Sequence, residues 1–196
     1  MLRKERTLVL VKPDGVKRGL VGEITARLEK MGLKIVAMKM VWVDAAMARQ
    51  HYPESRTELL KAIGQKTLDT YEKYGKDPKE QFGEMTAEQI GKMVNQWNID
   101  FITSGPVVAI LLEGLHAIDN VRMLVGHTLP VNAIPGTVRG DYSIDSPALA
   151  NEKKRAVRNL MHASGNAEEA KYEEQLWFRE HEIYDYKRTD EDVMFE

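Results

Sequence analysis

The chain has 196 residues, enough for one domain with a hydrophobic core, and its 43% hydrophobic and 30% charged residues are typical of globular rather than disordered or membrane proteins. A net charge of -2 argues against nonspecific nucleic-acid binding as its main activity, and the lack of cysteine excludes disulfides and thiolate chemistry. The first apolar run ends at Lys12 and is too short for a signal peptide or a membrane span, so we expect a cytoplasmic protein with no membrane partner.

The N-terminal part of the chain predicts two strands around a helix. Residues 7–11 are apolar and end at a Pro-Asp-Gly turn, which indicates a buried strand. Residues 21–31 have apolar side chains at helical spacing. Residues 34–43 alternate, and we expect their apolar face to be buried; it consists of Val36, Met38, Met40 and Trp42. Asp44 suits the N-cap of a short helix over residues 45–50.

A charged, mostly helical insertion is predicted over about residues 54–98. Apolar spacing indicates one helix around residues 59–68 and another around 86–97, with a polar loop at 75–83 between them. Two roles are open: a surface hairpin that packs on its own apolar stripe, or a lid, partner or oligomer contact.

The C-terminal half predicts a strand at residues 107–112, a helix at 118–125, a long loop at 128–145, a brief strand at 159–163 and a helix at 167–178. The resulting order is that of a mixed α/β (α+β) protein, a ferredoxin-like βαββαβ sandwich. We expect a four-stranded antiparallel sheet with helices over one face and an inserted helical hairpin. No internal repeat or Gly-rich linker is apparent, so a single domain is expected over the whole chain.

A candidate nucleophile lies in the segment Asn-Leu-Met-His-Ala-Ser that contains His162. A neutral imidazole is a good nucleophile near pH 7, and its second nitrogen needs an acceptor, which Glu173 could provide. Arg139, in a turn-rich segment, could neutralise a phosphoryl group under attack. The pattern predicts a phosphohistidine enzyme, although sequence alone leaves four competing histidines: His51, His116, His127 and His181.

Seven short blocks in a fixed order make the chain closely resemble the nucleoside diphosphate kinases, from near its N-terminus to near its C-terminus. They are KPDGV (12–16), RGLVGE (18–23), HY (51–52), SGPVV (104–108), EG (113–114), PGTVRGD (135–141) and LWF (176–178). Two stretches fall outside the resemblance, about 54–98 and 145–156, where the chain is longer than the family's usual form.

The resemblance implies ping-pong transfer of the γ-phosphoryl group from ATP, or another nucleoside triphosphate, to a nucleoside diphosphate through a phosphohistidine at His162. Glu173 would bond the ring nitrogen that does not take the phosphoryl group, Ser164 would support that carboxylate, and Tyr52 would lie beside the histidine.

The nucleotide would be held by five further residues that match the family's positions. Lys12 would meet the γ-phosphate and the ribose, Arg122 and Thr128 the α- and β-phosphates, Arg139 the β- and γ-phosphates, and Asn159 the ribose 3′-hydroxyl.

Two departures from the family pattern concern the base and the metal. A stacking phenylalanine is expected where an ungapped count places Val94, with Trp97 and Phe101 nearby, and the sequence does not decide among these three. The aspartate that usually follows the active serine is Gly165 here. We therefore assign no protein metal ligand, and Mg²⁺ is expected to be held through the nucleotide phosphates.

The resemblance also implies a homo-oligomer, either a hexamer or a tetramer, with no nucleic-acid partner. One alternative is a catalytically weak family member that acts as a nucleotide-binding or regulatory module, suggested by the insertion and the missing aromatic. The other, a nucleic-acid-binding ferredoxin-like domain, needs aromatic and basic residues on an open sheet face, whereas the apolar face of the second strand is expected to be buried.

Overall fold

The computed structural model describes residues 4–195 and contains a four-stranded antiparallel sheet in the order β2-β3-β1-β4. The strands are β1 Lys4–Val11, β2 Lys34–Val41, β3 Val107–Leu115 and β4 Met161–Ala163. The helices of the described residues are α1 Pro13–Lys17, α2 Val21–Lys30, α3 Ala45–His51, α4 Thr57–Lys73, α5 Pro78–Phe82, α6 Ala87–Thr103, α7 Ala117–Val125, α8 Val138–Tyr142, α9 Pro147–Glu152, α10 Ala167–Trp177 and α11 Glu191–Phe195. The predicted ferredoxin-like sandwich with an inserted helical hairpin is confirmed.

Helices cover both faces of this sheet, so the expectation that they lie over one face is wrong. In β1, Val9 and Val11 face a core that includes residues of α2 and α7, whereas Leu8 and Leu10 face a second core that includes residues of α3, α6 and α10. The physical reason is that the central strands β1 and β3 are apolar at consecutive positions, and a strand with two apolar faces is stable only when both are covered.

The apolar face predicted for β2 is not buried as expected. Met38, Met40 and Trp42 are 45%, 61% and 70% exposed. An irregularity in the pairing with β3 between Ile35 and Ala37 places two consecutive residues, Val36 and Ala37, in the same core. Because side chains alternate along a strand, this bulge turns the following methionines and the tryptophan to the opposite side.

The insertion consists of α4 and α6, which pack closely along their lengths. A Cβ on Gly64 would lie 1.7 Å from the carbonyl oxygen of Ala87, and one on Gly91 would lie 1.9 Å from that of Leu60, so only glycine allows this approach. Thr86 begins α6 with the reciprocal hydrogen bonds of a capping box with Gln89.

Two segments predicted as loops contain short helices. α5 lies within residues 75–83, and residues 128–145 contain α8 and a 3₁₀ turn at Pro130–Asn132. Helices of three to five residues are too short to produce a helical period in the sequence, so periodicity could not reveal them. Within residues 4–195, every helix is too short or too polar to cross a membrane.

Candidate active site

The imidazole of His162 lies on β4, opposite Leu10 of β1, and contacts a carboxylate from α10. Its Nε2 atom is 2.7 Å from Oε1 of Glu173, and the Ser164 hydroxyl donates to Oε2 of the same carboxylate at 2.6 Å. Both oxygens of Glu173 are therefore held. Since Nε2 is engaged, Nδ1 is the ring nitrogen left for an electrophile.

The surroundings of His162 favour its neutral ring. Burial lowers the pKa of His162 to about 3, and the positive charges of Lys12, Arg139 and Arg122 act in the same direction. Burial raises the pKa of Glu173 to about 7. A neutral imidazole beside cationic groups is suited to attack an anionic electrophile that those cations bind.

A second histidine, His51, lies directly against this pair, which the sequence did not reveal. The rings of His51 and His162 are perpendicular, with centroids 4.6 Å apart, and Nδ1 of His51 is 3.5 Å from Oε1 of Glu173. The His51 side chain is only 1% exposed, compared with 18% for His162. Of the two, His162 is the one that a substrate can reach. The only sequence signal was that His51 precedes Tyr52, whose ring lies edge-on to it.

Two other histidines lie outside this cluster: His116 precedes α7, and His181 is in a 3₁₀ turn near the C-terminus. The fifth histidine, His127, lines a cleft of about 820 Å³ in front of His162. All five predicted nucleotide-binding residues and Tyr52 line the same cleft; the five are Lys12, Arg122, Thr128, Arg139 and Asn159. Chain segments that are far apart in the sequence therefore bring these residues together.

Asn159 joins two sides of the cleft. Its Oδ1 accepts a hydrogen bond from Lys12 Nζ at 3.0 Å, and its Nδ2 donates to the carbonyl of Thr128 at 2.9 Å. Burial and, to a smaller extent, the charge of Arg139 lower the pKa of Lys12 to about 8. An anion placed in the cleft would oppose both effects and keep the ammonium group charged.

The two arginines of the cleft differ in burial and in hydrogen bonding. Arg139 is buried and donates to the carbonyls of Asn159, Gly126 and Met161, at 3.1, 2.9 and 2.6 Å. Arg122 projects from α7 and is exposed, and within residues 4–195 its guanidinium has no hydrogen bond or ion pair. Arg139 is thus a fixed charge, whereas Arg122 is free to follow a ligand.

The three candidates for base stacking are separated by the structure. Val94 packs with the insertion's own core of Tyr71, Phe82 and Ile90 and is not among the residues that line the cleft. Val94 lies on the face of α6 that packs against α4 and α5, so its side chain points into the insertion. Trp97 and Phe101 instead line a cavity of about 200 Å³, and the Phe101 ring centroid is 5.9 Å from Lys12 Nζ.

Among the described residues that line the large cleft there is no carboxylate. The side chains that could hold a metal ion are His51, His162 and Glu173, whose ligand atoms lie within 4.8 Å of one another. The 2.7 Å contact between His162 and Glu173 leaves no space for an ion between these atoms, since ligand atoms about 2 Å from a metal lie farther apart. A hard cation such as Mg²⁺ therefore meets no carboxylate among the described residues of the cleft.

Comparison with known proteins places these features in one family. The model of the family described as nucleoside diphosphate kinase matches residues 5–62 and 58–183. A nucleoside diphosphate kinase of Pyrobaculum aerophilum is 48% identical, over 91% of this chain and 97% of its own length. One from Archaeoglobus fulgidus is 42% identical, over 98% of both chains.

Solved structures give the same result. The crystal structure of an NDP kinase from Pyrobaculum aerophilum superimposes with a TM-score of 0.90 at 46% identity, covering 93% of this chain and 100% of that one. A transition-state mimic of a Borrelia burgdorferi nucleoside-diphosphate kinase, with bound vanadate and ADP, gives a TM-score of 0.76 at 38% identity, covering 97% and 96%.

Proposed function

The chain belongs to the nucleoside diphosphate kinase family, and we propose that His162 is the residue that carries the phosphoryl group between its nucleotides. The observation that supports this most directly is the 2.7 Å contact of Nε2 with Glu173, because an ionised Glu173 holds the ring proton on Nε2 and leaves the Nδ1 lone pair available beside a cationic cleft. The alternative of a catalytically weak binding module is disfavoured because the histidine, its carboxylate and the phosphate-binding cations are all in place.

In the proposed ping-pong reaction, the Nδ1 lone pair of His162 attacks the γ-phosphorus of a nucleoside triphosphate, most often ATP. The bond from the γ-phosphorus to the bridging oxygen breaks, and its electron pair remains on the departing diphosphate. The ring keeps its Nε2 proton and becomes cationic, which the ionised Glu173 stabilises. A terminal oxygen of a second nucleoside diphosphate then attacks the phosphohistidine and restores the neutral ring.

The cleft supplies the charge neutralisation that phosphoryl transfer requires. We assign Arg139 to the β- and γ-phosphates because its guanidinium is fixed. Lys12 serves the γ-phosphate and the ribose, while Arg122 and Thr128 hold the α- and β-phosphates. Asn159 contacts the ribose 3′-hydroxyl. Mg²⁺ enters as part of the substrate, bound to its phosphates, since the described residues that line the cleft offer it no carboxylate.

The base is proposed to lie against Phe101 or Trp97 of α6, which line the smaller cavity beside Lys12. An aromatic surface attracts every base and does not select among them by hydrogen bonding. Broad base tolerance is expected for this reason.

The remaining assignments describe the chain as a whole. We propose one domain over residues 1–196, with insertions at about 54–98 and 145–156, in a cytoplasmic homo-oligomer that is a hexamer or a tetramer. The exposed apolar side chains of β2 and of the residue that follows it, Met38, Met40 and Trp42, favour association with another copy. Sedimentation of the purified chain tests the oligomeric state.

The decisive experiment incubates the protein with γ-labelled ATP. We expect an acid-labile, base-stable phosphoprotein that loses its label when nucleoside diphosphate is added. His162→Ala should take up no label while retaining its fold and nucleotide affinity, and His181→Ala, distant in the C-terminal turn, is the matched control. Label at the wild-type level in His162→Ala would contradict the proposal.

A further inference from the structure

The inserted helices are held firmly beside the active site. Ile99 and Ile102 of α6 belong to the second core, which α6 shares with α3 and α10 on one face of the sheet. Asn95 of α6 donates a hydrogen bond to the carbonyl of Tyr52 at 3.0 Å. α4 is fixed in turn by its close glycine contacts with α6. Leu59 and Leu60 of α4 line a small cavity that also borders His162 and Glu173. The insertion therefore forms one wall behind the reactive histidine.

One ion pair connects the beginning of this insertion to the loop that follows His162. Arg56, the residue before α4, places Nη1 2.7 Å from Oε1 of Glu169 on α10. The other oxygen of Glu169 accepts a hydrogen bond from the backbone amide of Gly165 at 2.6 Å. Asn166 caps α10 by accepting from the Glu169 amide at 2.9 Å. The short loop after Ser164 is thus fastened to the inserted segment through one carboxylate.

Position 165 is shaped to admit this carboxylate. A Cβ at Gly165 would lie 2.6 Å from Oε2 of Glu169, so a larger residue would have to displace it. The same Cβ would lie 3.7 Å from Nη1 of Arg122, a cation of the cleft. The loop, the Glu169 carboxylate and the phosphate-binding side of the cleft therefore meet within a few ångströms.

The charge of Glu169 acts on His162. Burial tends to raise the pKa of Glu169, but hydrogen bonds from Arg56 and from the Gly165 amide keep that pKa below its usual value, so the group is ionised. Its negative charge favours a positive His162 ring and opposes the effect of Lys12 and Arg139. The ring acquires a positive charge when Nδ1 attacks phosphorus, so a carboxylate at this position favours the transferring state.

We propose that Arg56 and Glu169 are a positioning pair, through which the inserted helices hold the loop at residues 165–166 and a negative charge beside His162 during phosphoryl transfer. This inference depends on the proposed function of His162. It assigns the insertion a direct contribution to the reaction, in addition to any part it takes in assembly.

The test exchanges the charges of the pair. Arg56→Glu and Glu169→Arg are made singly and together, and the control exchanges Lys76 and Glu152, a 3.3 Å ion pair that joins the same insertion to α9 through exposed side chains. The rate of phosphoenzyme formation is measured in a single turnover at saturating ATP, alongside nucleotide affinity and thermal stability. The conservative variants Arg56→Lys and Glu169→Gln keep the test informative if a reversed charge prevents folding.

Each single reversal should slow phosphoenzyme formation by about 10-fold or more, because small displacements of catalytic groups have effects of this size. Nucleotide affinity and thermal stability should change little. The double exchange should react faster than the slower single reversal because it restores the ion pair, but it should stay below the wild-type rate because an arginine at position 169 cannot accept a hydrogen bond from the Gly165 amide. Arg56→Lys should remain close to the wild type, whereas Glu169→Gln should be slow. All variants of the control pair should react at the wild-type rate.

Two results overturn the proposal: wild-type rates in both Glu169 variants, or a double exchange no faster than the slower single reversal. Failure of the proposed function has a different signature, since it leaves His162→Ala labelled. If the label depends on His162 but not on Arg56 and Glu169, only the positioning pair is refuted.

Discussion

Replacing Glu173 with glutamine separates two effects of one buried carboxylate: its effect on stability and its effect on phosphoenzyme formation. The residue is 2% exposed, and its two oxygens contact His162 and Ser164. Glutamine has nearly the same shape but cannot ionise. The substitution therefore removes the charge while it preserves the packing of α10.

The effect on stability follows from the raised pKa of Glu173. Burial raises this pKa from 4.5 to about 7, so the folded chain binds more protons than the unfolded chain between these values. The protonated Glu173 therefore contributes to the stability of the fold. This contribution is fully present below pH 4.5 and is lost as the pH rises towards 7. The full loss corresponds to about 3 kcal/mol, to order of magnitude. Glu173→Gln should not show it.

The pH dependence of activity should run opposite to that of stability: activity should rise with pH where stability falls. Below about pH 7 the wild-type carboxyl group is protonated and donates to Nε2, so the ring proton moves to Nδ1 and blocks attack. Phosphoenzyme formation in the wild type should therefore fall as the pH falls through about 7. In Glu173→Gln it should be slower by about 100-fold, as is typical when a charge that stabilises the transition state is lost, and nearly independent of pH between 6 and 8.

Urea unfolding at pH 4.5 and at pH 8 measures the first effect. The unfolding free energy of the variant, relative to the wild type, should rise by about 3 kcal/mol between the two values. Glu152→Gln, an exposed glutamate, should show no such change. If the pH dependence of stability were the same in Glu173→Gln and the wild type, ionisation of the buried Glu173 would not lower the free energy of unfolding.

Three further predictions concern the cleft and the smaller cavity beside Lys12. Lys12→Ala and Arg139→Ala should each lower turnover by about 100-fold, as expected for a lost charge contact to the transition state, and a raised Michaelis constant with unchanged turnover would make them binding residues only. Arg139→Ala should also lower the midpoint of urea unfolding, because three carbonyls lose their partner, whereas Lys12→Ala should change it less. Phe101→Ala or Trp97→Ala should weaken nucleotide binding by about 1 kcal/mol without altering the ranking of bases, measured by titration; loss of tolerance for one base would refute an aromatic platform.

The bulge in β2 is a feature that the sequence pattern did not predict. The alternation at residues 34–43 correctly indicated a strand, since a period of two follows from backbone geometry. It could not indicate that one extra residue near Val36 reverses which side chains are buried, because the bulge depends on the register with β3. In the same way, helical spacing identified α6 but not that Val94 packs inside the insertion while Trp97 and Phe101 line the smaller cavity.

The sequence by itself determined the strand and helix order and the pairing of His162 with Glu173, which are only eleven residues apart on adjacent elements. A short connection between a strand and the next helix keeps such residues close together whenever both elements form. The tertiary structure alone decided that the buried His51 packs against the His162 ring and that Arg56 contacts Glu169, 113 residues away in the sequence. Contacts between distant segments depend on how the whole chain packs, and their partners carry no common local pattern.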